Sequence, residues 1–286
     1  MAFRIHEWLL AQWGLSIPIP AYFPLLALGM IAGMYVIGRE ARRQGIDINE
    51  MITLFAYGLV AVAIGSRLYV VVENLDHFLA HPREIFFFTE TGLASHGGFL
   101  AGLLVIVVFV RVRRLPFLRL ADALPAGFGL GYFFARVGCL LEGSCYGVVT
   151  HLPWGVRFPP GSVAYGNPPA EQALVTGGPM LTPPLHPTQL YAAAAGLCLF
   201  ALALWLAPRK RFQGEVFFAG LLFYSATRVP IDALRGDLGG LTVVFGFLPS
   251  IQLVTVCIGL VALLGLGYLY LSSPTNSAEA RVKGPV

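Results

Sequence analysis

Arg67, Arg136, Arg157, Arg228 and Arg235 stand apart from the dense basic clusters of this chain. A cation near the end of a membrane helix is costly unless something anionic meets it, and a guanidinium matches phosphate oxygens two at a time. The clearest case lies in Ala135-Arg136-Val137-Gly138-Cys139-Leu140-Leu141-Glu142-Gly143-Ser144-Cys145-Tyr146-Gly147, where an apolar run meets an arginine, an acid and three glycines. Gly138, Gly143 and Gly147 let backbone turn sharply or approach a ligand closely. Arg228 has Asp232 at i+4, a same-face spacing, whereas Glu142 is six positions from Arg136 and would meet it only if the chain turned. His96-Gly97-Gly98 opens another apolar run, a place where an imidazole and free backbone donors stabilise developing negative charge. The same stretch carries Gly98 and Gly102 at the G-x-x-x-G spacing of helix packing. In His186-Pro187-Thr188-Gln189-Leu190-Tyr191 the proline suits a helix start, and Gln189 and Tyr191 offer hydrogen bonds to a lipid headgroup. The chemistry these residues suit is recognition of an anionic lipid phosphate, coupled either to transfer or to simple binding.

Other chemistries lack their motifs. There is no G-x-S-x-G, no H-E-x-x-H and no phosphate loop of the G-x-x-x-x-G-K-[ST] type. Cys139, Cys145, Cys198 and Cys257 form no C-x-x-C pair or zinc spacing, so the sequence supports no metal and no cofactor. Cys198 and Cys257 lie in apolar runs as small core residues. For Cys139 and Cys145 two readings stand: a disulfide if they face an oxidising compartment, or two unpaired small residues. The net charge of +4 comes from short clusters beside apolar runs and not from a basic-aromatic array, which argues against a nucleic-acid partner.

The elements that must carry these residues are membrane helices. Of 286 residues 57% are hydrophobic and 12% charged, about half the charge of a soluble domain. A spanning helix needs about 20 apolar residues. Seven stretches qualify, at about 21–38, 51–72, 95–110, 118–141, 187–207, 215–234 and 248–271. The first is expected to be retained and not cleaved as a signal peptide. Asp76, His77, His81, Arg83 and Glu84 lie in the loop after the second run. The expected fold is therefore all-α: a polytopic transmembrane helical bundle of about seven spans, forming one domain over residues 1–271. Basic clusters at residues 39–43, 111–114 and 209–211 come directly after the first, third and fifth runs. By the positive-inside bias those ends are cytoplasmic, so the N-terminus lies outside and the C-terminus inside. The Pro/Gly-rich insertion at about 142–186 is then extracytoplasmic, and the polar tail 272–286 reads as disordered. The outlying arginines fall near the outer face, where the orientation bias does not explain them.

Taken together, these elements resemble the bacterial prolipoprotein diacylglyceryl transferase family. His96-Gly97-Gly98 with Gly102 is similar to the family's HGG element, and Arg136-x-Gly138 through Gly143 to Gly147 to its signature stretch. His186 to Tyr191 resembles H-P-[ST]-Q-L-Y. Tyr224-x-x-x-Arg228 resembles the Y-x-x-x-R element, and Asp232 and Arg235 resemble the acid and arginine beyond it. The signature departs from the family pattern at Cys139, where many members carry asparagine, and at Glu142-Gly143-Ser144, where they carry asparagine-glycine-glutamate. The resemblance implies a multi-pass protein of the bacterial cytoplasmic membrane. Its implied activity moves diacylglyceryl from phosphatidylglycerol to the lipobox cysteine thiol of a prolipoprotein signal peptide and releases glycerol phosphate. It implies that Arg136 and Arg228 hold the phosphate and that His96 accepts the thiol proton. Arg67, Gly97, Gly98, Gly138, Glu142, Gly147, Gln189, Tyr191, Tyr224, Asp232 and Arg235 would line the substrate site, with Tyr22 beside the lipid. A non-catalytic binding or transport protein for anionic lipid is the alternative reading of the same arginines.

Overall fold

The computed structural model describes residues 22–86, 95–166, 181–237, 243–244 and 248–273. The proposed tail beyond residue 273 and residues 167–180 of the insertion lie outside the described residues. The helices are α1 (Tyr22–Arg43), α2 (Ile48–Glu73), α3 (Leu75–Ala80), α4 (Ser95–Val112), α5 (Phe117–Glu142), α6 (Val163–Gly166), α7 (Thr188–Leu206), α8 (Glu215–Ala233) and α9 (Ser250–Ser272). A 3₁₀ turn covers Pro82–Phe86. The strands β1 (Val243–Val244) and β2 (Leu248–Pro249) pair antiparallel, with Val243 opposite Pro249 and Val244 opposite Leu248.

This is a helical membrane protein, with five helices among the described residues long and apolar enough to cross a bilayer: α1, α2, α5, α7 and α9, the last over Gln252–Ser272. The expected third span corresponds to α4, whose described apolar stretch is Leu100–Val112. In α8, Arg228 and Asp232 sit inside the last turns and lower its hydropathy.

The chain divides into two compact units, one from the described parts of Met1–Ile37 and Ala121–Val286, the other from the described part of Gly38–Leu120. In the second unit α2 and α4 pack along each other. The contact is close because it is built on glycine: a Cβ at Gly97 would stand 2.2 Å from Gly65 O, and one at Gly98 2.4 Å from Ser66 Oγ. Asp47 caps α2 by accepting the Asn49 N–H at 3.0 Å, which satisfies one donor the helix start leaves free.

In the first unit α1, α5 and α7 approach through small residues in the same manner, with Gly33 against Gly127 and Gly129 against Gly196. Helix α8 packs against α7 and α9, and also against α5, where a Cβ at Gly220 would lie 2.9 Å from Pro125 Cβ. Buried Asp122 on α5 fixes the start of α8, accepting from Gly214 N at 2.9 Å, Phe217 N at 3.0 Å and Lys210 Nζ at 2.7 Å. A carboxylate at a helix N-terminus meets the positive end of its dipole as well as its unpaired donors. The described part of the insertion folds around a small apolar core of Tyr146, Phe158, Ala164 and Leu185. Isolated bridges join Val149 and Val156 to Leu185.

Candidate active site

The end of α5 determines where the signature stretch turns. Gly143 adopts φ +79°, its N–H bonds to Cys139 O at 2.9 Å, and Ser144 N bonds to the same carbonyl at 3.0 Å. That is a Schellman termination, which needs a residue tolerant of the left-handed region just past the helix. Cys145 is next to turn, at φ +54°, and the chain is then held from two sides. Thr188 Oγ1 donates to Cys145 O at 2.7 Å, and Gln189 Nε2 donates to Ser144 O at 2.8 Å. Gly147 N donates to His186 O at 3.1 Å, Val148 N to Leu234 O at 2.9 Å, and Gly236 N to Tyr146 O at 3.0 Å. A Cβ at Gly147 would lie 2.5 Å from both His186 Cβ and His186 O and 2.9 Å from Leu234 O, so only glycine passes between the two flanking segments. Three separate sequence motifs are thus bonded into one corner of the first unit.

Arg136 lies on α5 four residues before Leu140, one turn above that corner, with its guanidinium carbon 4.7 Å from the centre of the Tyr132 ring. Arg228 on α8 reaches the same tyrosine from the other side, its Nη1 donating to Tyr132 Oη at 2.9 Å. The two arginines therefore converge on one side chain. Tyr224 and Phe128 surround that ring, with centroids 5.9 and 5.8 Å away.

Charge is distributed unevenly around this cluster. Asp232, fully buried, forms an ion pair with Arg228 Nε at 2.8 Å through Oδ2 and accepts from Arg235 Nη1 at 3.3 Å through Oδ1. The Oδ2 contact is close but not aligned as a hydrogen bond. Arg235 in turn grips Asp237 with two parallel bonds of 2.9 and 2.8 Å. Burial works against the charge on Arg235, and the bonds to Asp237 more than offset it, so this guanidinium is held charged above its ordinary range. Two carboxylates thus serve Arg228 and Arg235. Arg136 has no carboxylate partner among the described residues; Glu142 accepts instead from Ser144 Oγ at 3.0 Å. A partly buried guanidinium resting on an aromatic face, with no carboxylate beside it among the described residues, is chemically suited to receive an anion.

Two thiols adjoin the cluster, both free. A hydrogen bond from Cys139 holds the Cys145 thiol down at about 6; burial opposes this, and the Arg136 and Arg235 guanidiniums add to the lowering. Burial also raises the Tyr146 hydroxyl above its ordinary value.

The other expected residues divide between the two units. Gly138 lies under the Tyr22 ring, whose Cδ2 would be 3.0 Å from a Cβ there. Gln189 is fully buried and its Oε1 has no hydrogen-bond partner among the described residues. Tyr191 Oη accepts from Trp154 Nε1 at 2.8 Å and lies 3.4 Å from His186 Nδ1. In the second unit Gly97 and Gly98 are occupied in the packing of α4 on α2, and Gly98 and Gly102, at the G-x-x-x-G spacing, both face Val62. Arg67 is buried, donates from Nε to Ile85 O at 2.9 Å and from Nη2 to Glu84 O, and stands 5.1 Å over the Phe78 ring. His96 is the second residue of α4; its side chain lies outside the described residues. Arg157 is exposed.

Sequence reasoning missed Tyr132, the residue that joins the two arginines. Its signal was available, since it precedes Arg136 by four positions and so shares its helix face. Asp237 as the bidentate partner of Arg235 and Trp154 as the donor to Tyr191 required the fold.

The arrangement defines a polytopic helical membrane protein in which guanidiniums from α5 and α8 meet on one tyrosine. The profile of the prolipoprotein diacylglyceryl transferase family matches residues 10–268. Among curated proteins, the chain is 34% identical over 225 residues to the phosphatidylglycerol–prolipoprotein diacylglyceryl transferase of Geobacter sulfurreducens, covering 75% of this chain and 76% of that one. It is 28% identical to the enzyme of that name from Clostridioides difficile over 92% and 94% of the two chains, and 31% identical to that of a Shewanella species over 80% of each. The chain belongs to the prolipoprotein diacylglyceryl transferase family.

Proposed function

We propose that the chain transfers the diacylglyceryl group of phosphatidylglycerol to the lipobox cysteine of a prolipoprotein signal peptide. The observation that carries this reading is the convergence of Arg136 and Arg228 on Tyr132, with Arg136 left without a carboxylate among the described residues. In the reaction a C–S bond forms between the substrate thiolate and the glyceryl carbon, and the C–O bond from that carbon to phosphate breaks. The products are a thioether and glycerol phosphate. The attacking sulfur belongs to the substrate, so the protein supplies no nucleophile. It supplies charge where the leaving phosphate develops it, which is where preorganised donors have most effect. Arg136 is the primary phosphate ligand in this account, and Arg228, steadied by Asp232, completes the clamp. His96 takes the thiol proton, an assignment supported by the resemblance of His96-Gly97-Gly98 to the family element and by the range in which imidazole titrates.

The proposed setting is the bacterial cytoplasmic membrane, crossed by seven spans including α4 and α8, with the N-terminus outside and the C-terminus in the cytoplasm. Support comes from the three basic clusters, each of which comes directly after an odd-numbered span. The arginines near the end of α5 then face the side on which signal peptides emerge. The test is a lipidation assay with the purified full chain, phosphatidylglycerol and a lipobox peptide, read as mass gain on the peptide. Arg136→Ala and Arg228→Ala are expected to abolish transfer, and Arg209→Ala, in a basic cluster, to retain it. Absence of mass gain with the unaltered chain would reject the transferase reading in favour of lipid binding alone.

A further inference from the structure

Apart from the arginine pocket, the second unit holds a side-chain cluster that the transfer reaction does not use. His77 sits in α3, His81 comes just after its last residue, and Glu84 lies in the 3₁₀ turn of Pro82–Phe86. One ring nitrogen from each histidine and one Glu84 carboxylate oxygen all lie within 4.8 Å of one another. His77 Nε2 is 2.8 Å from Glu84 Oε2, and the two imidazoles are 5.2 Å apart with their planes 30° from parallel. Histidines four residues apart on one helical turn present their rings to the same side. The backbone keeps the third ligand near: His81 N donates to His77 O at 3.0 Å, and Glu84 N donates to His81 O at 3.0 Å.

We infer that His77, His81 and Glu84 form a binding site for a single zinc-class divalent cation, held by two imidazoles and one carboxylate with water completing the shell. Zinc bonds of about 2.0–2.2 Å place the ligand atoms of a tetrahedral site roughly 3.3 Å apart. The three atoms are already inside 4.8 Å, so small side-chain rotations suffice and the backbone need not move. Two nitrogens and one oxygen are the donors of a borderline ion, whereas magnesium and calcium prefer all-oxygen shells. All three side chains reach the surface, so an ion has a path in. The sequence alone did not reveal the site because H-x-x-x-H-x-x-E is not a recognised zinc spacing; it becomes a ligand set only when the 3₁₀ turn folds Glu84 back on α3.

The site adjoins the anchorage of Arg67. The Glu84 and Ile85 carbonyls accept from Arg67, and Phe78, between the two histidines in sequence, carries its guanidinium. A cation joining α3 to the 3₁₀ turn would therefore stiffen the segment that holds this arginine. The inference does not depend on the transferase reading, and its test does not measure transfer.

The experiment titrates Zn²⁺ into the purified full chain, without a polyhistidine tag, against a chromophoric chelator. The expected result is one zinc per chain, with affinity at least ~10-fold weaker in His77→Ala, His81→Ala and Glu84→Gln. His151→Ala, an exposed histidine elsewhere, should bind as the unaltered chain does. Millimolar Mg²⁺ should leave the titration unchanged. The three single variants are read independently, each after its thermal melt matches the unaltered chain, so the loss of one to misfolding leaves the other two decisive. No zinc uptake, uptake that survives all of the folded variants, or displacement by Mg²⁺ would overturn the assignment.

Discussion

Tyr132 offers the most informative single perturbation, because its ring and its hydroxyl serve different arginines. Tyr132→Phe removes the oxygen that accepts from Arg228 Nη1 at 2.9 Å and keeps the ring 4.7 Å beneath Arg136. Tyr132→Leu removes both. A hydrogen bond to a charged group contributes about 1.5–3 kcal/mol. Arg228 keeps its ion pair with Asp232 at 2.8 Å, which holds it near its place, so the lower figure is the appropriate one. That corresponds to a transfer rate roughly 10-fold lower for Tyr132→Phe. A desolvated cation–π contact adds about 1–2 kcal/mol, so Tyr132→Leu should be slower by a further factor of roughly 5–30. The assay is the initial rate of mass gain on a lipobox peptide at saturating phosphatidylglycerol, with thermal melts to show that both variants are folded. Equal rates for the two variants would show that the ring does nothing for Arg136. A Tyr132→Leu protein that works at the unaltered rate would refute the shared-tyrosine account altogether.

The same contacts have other consequences. Asp232→Asn withdraws a buried charge from between Arg228 and Arg235, and breaking such a pair costs about 3 kcal/mol. A thermal melt should fall by roughly 6–12 °C, and an unchanged midpoint would show that the carboxylate is dispensable. Gly147→Ala places a methyl group 2.5 Å from His186, so the clamp must open; about 1–3 kcal/mol of stability and most of the transfer activity should go with it. With its thiol lowered to about 6, Cys145 should be predominantly thiolate at neutral pH. Its alkylation by iodoacetamide, located by peptide mass spectrometry, should be nearly flat above pH 7 and fall as pH is lowered through about 6. A rate that keeps climbing tenfold per unit toward pH 9 would show an ordinary thiol.

Much of this site was legible before any fold was known, because its cations are out of place in an apolar chain. Arg136 and Arg228 could be singled out by cost alone, and the i+4 spacing of Arg228 and Asp232 anticipated an ion pair that forms at 2.8 Å. What spacing could not supply was convergence between helices. Tyr132 looks like one more aromatic in Gly131-Tyr132-Phe133-Phe134 until Arg228 arrives from a helix 96 residues further on. The stretch from Gly97 to Gly102 carried two readings in sequence, and the close approach of Gly65 and Ser66 to Gly97 and Gly98 gives those two a packing role. Residues 215–234 read as a span in sequence, and α8 occupies them with Arg228 and Asp232 buried in its last turns, which lowers its mean hydropathy.

The central claim is that Arg136 and Arg228 bind a lipid phosphate, and the most direct measurement is equilibrium binding of short-chain phosphatidylglycerol and of diacylglycerol with the same chains. Arg136→Gln is predicted to weaken phosphatidylglycerol binding at least ~10-fold, the loss of one charge-assisted contact, and to leave diacylglycerol binding unchanged. Equal weakening for both lipids, or none for phosphatidylglycerol, would contradict it.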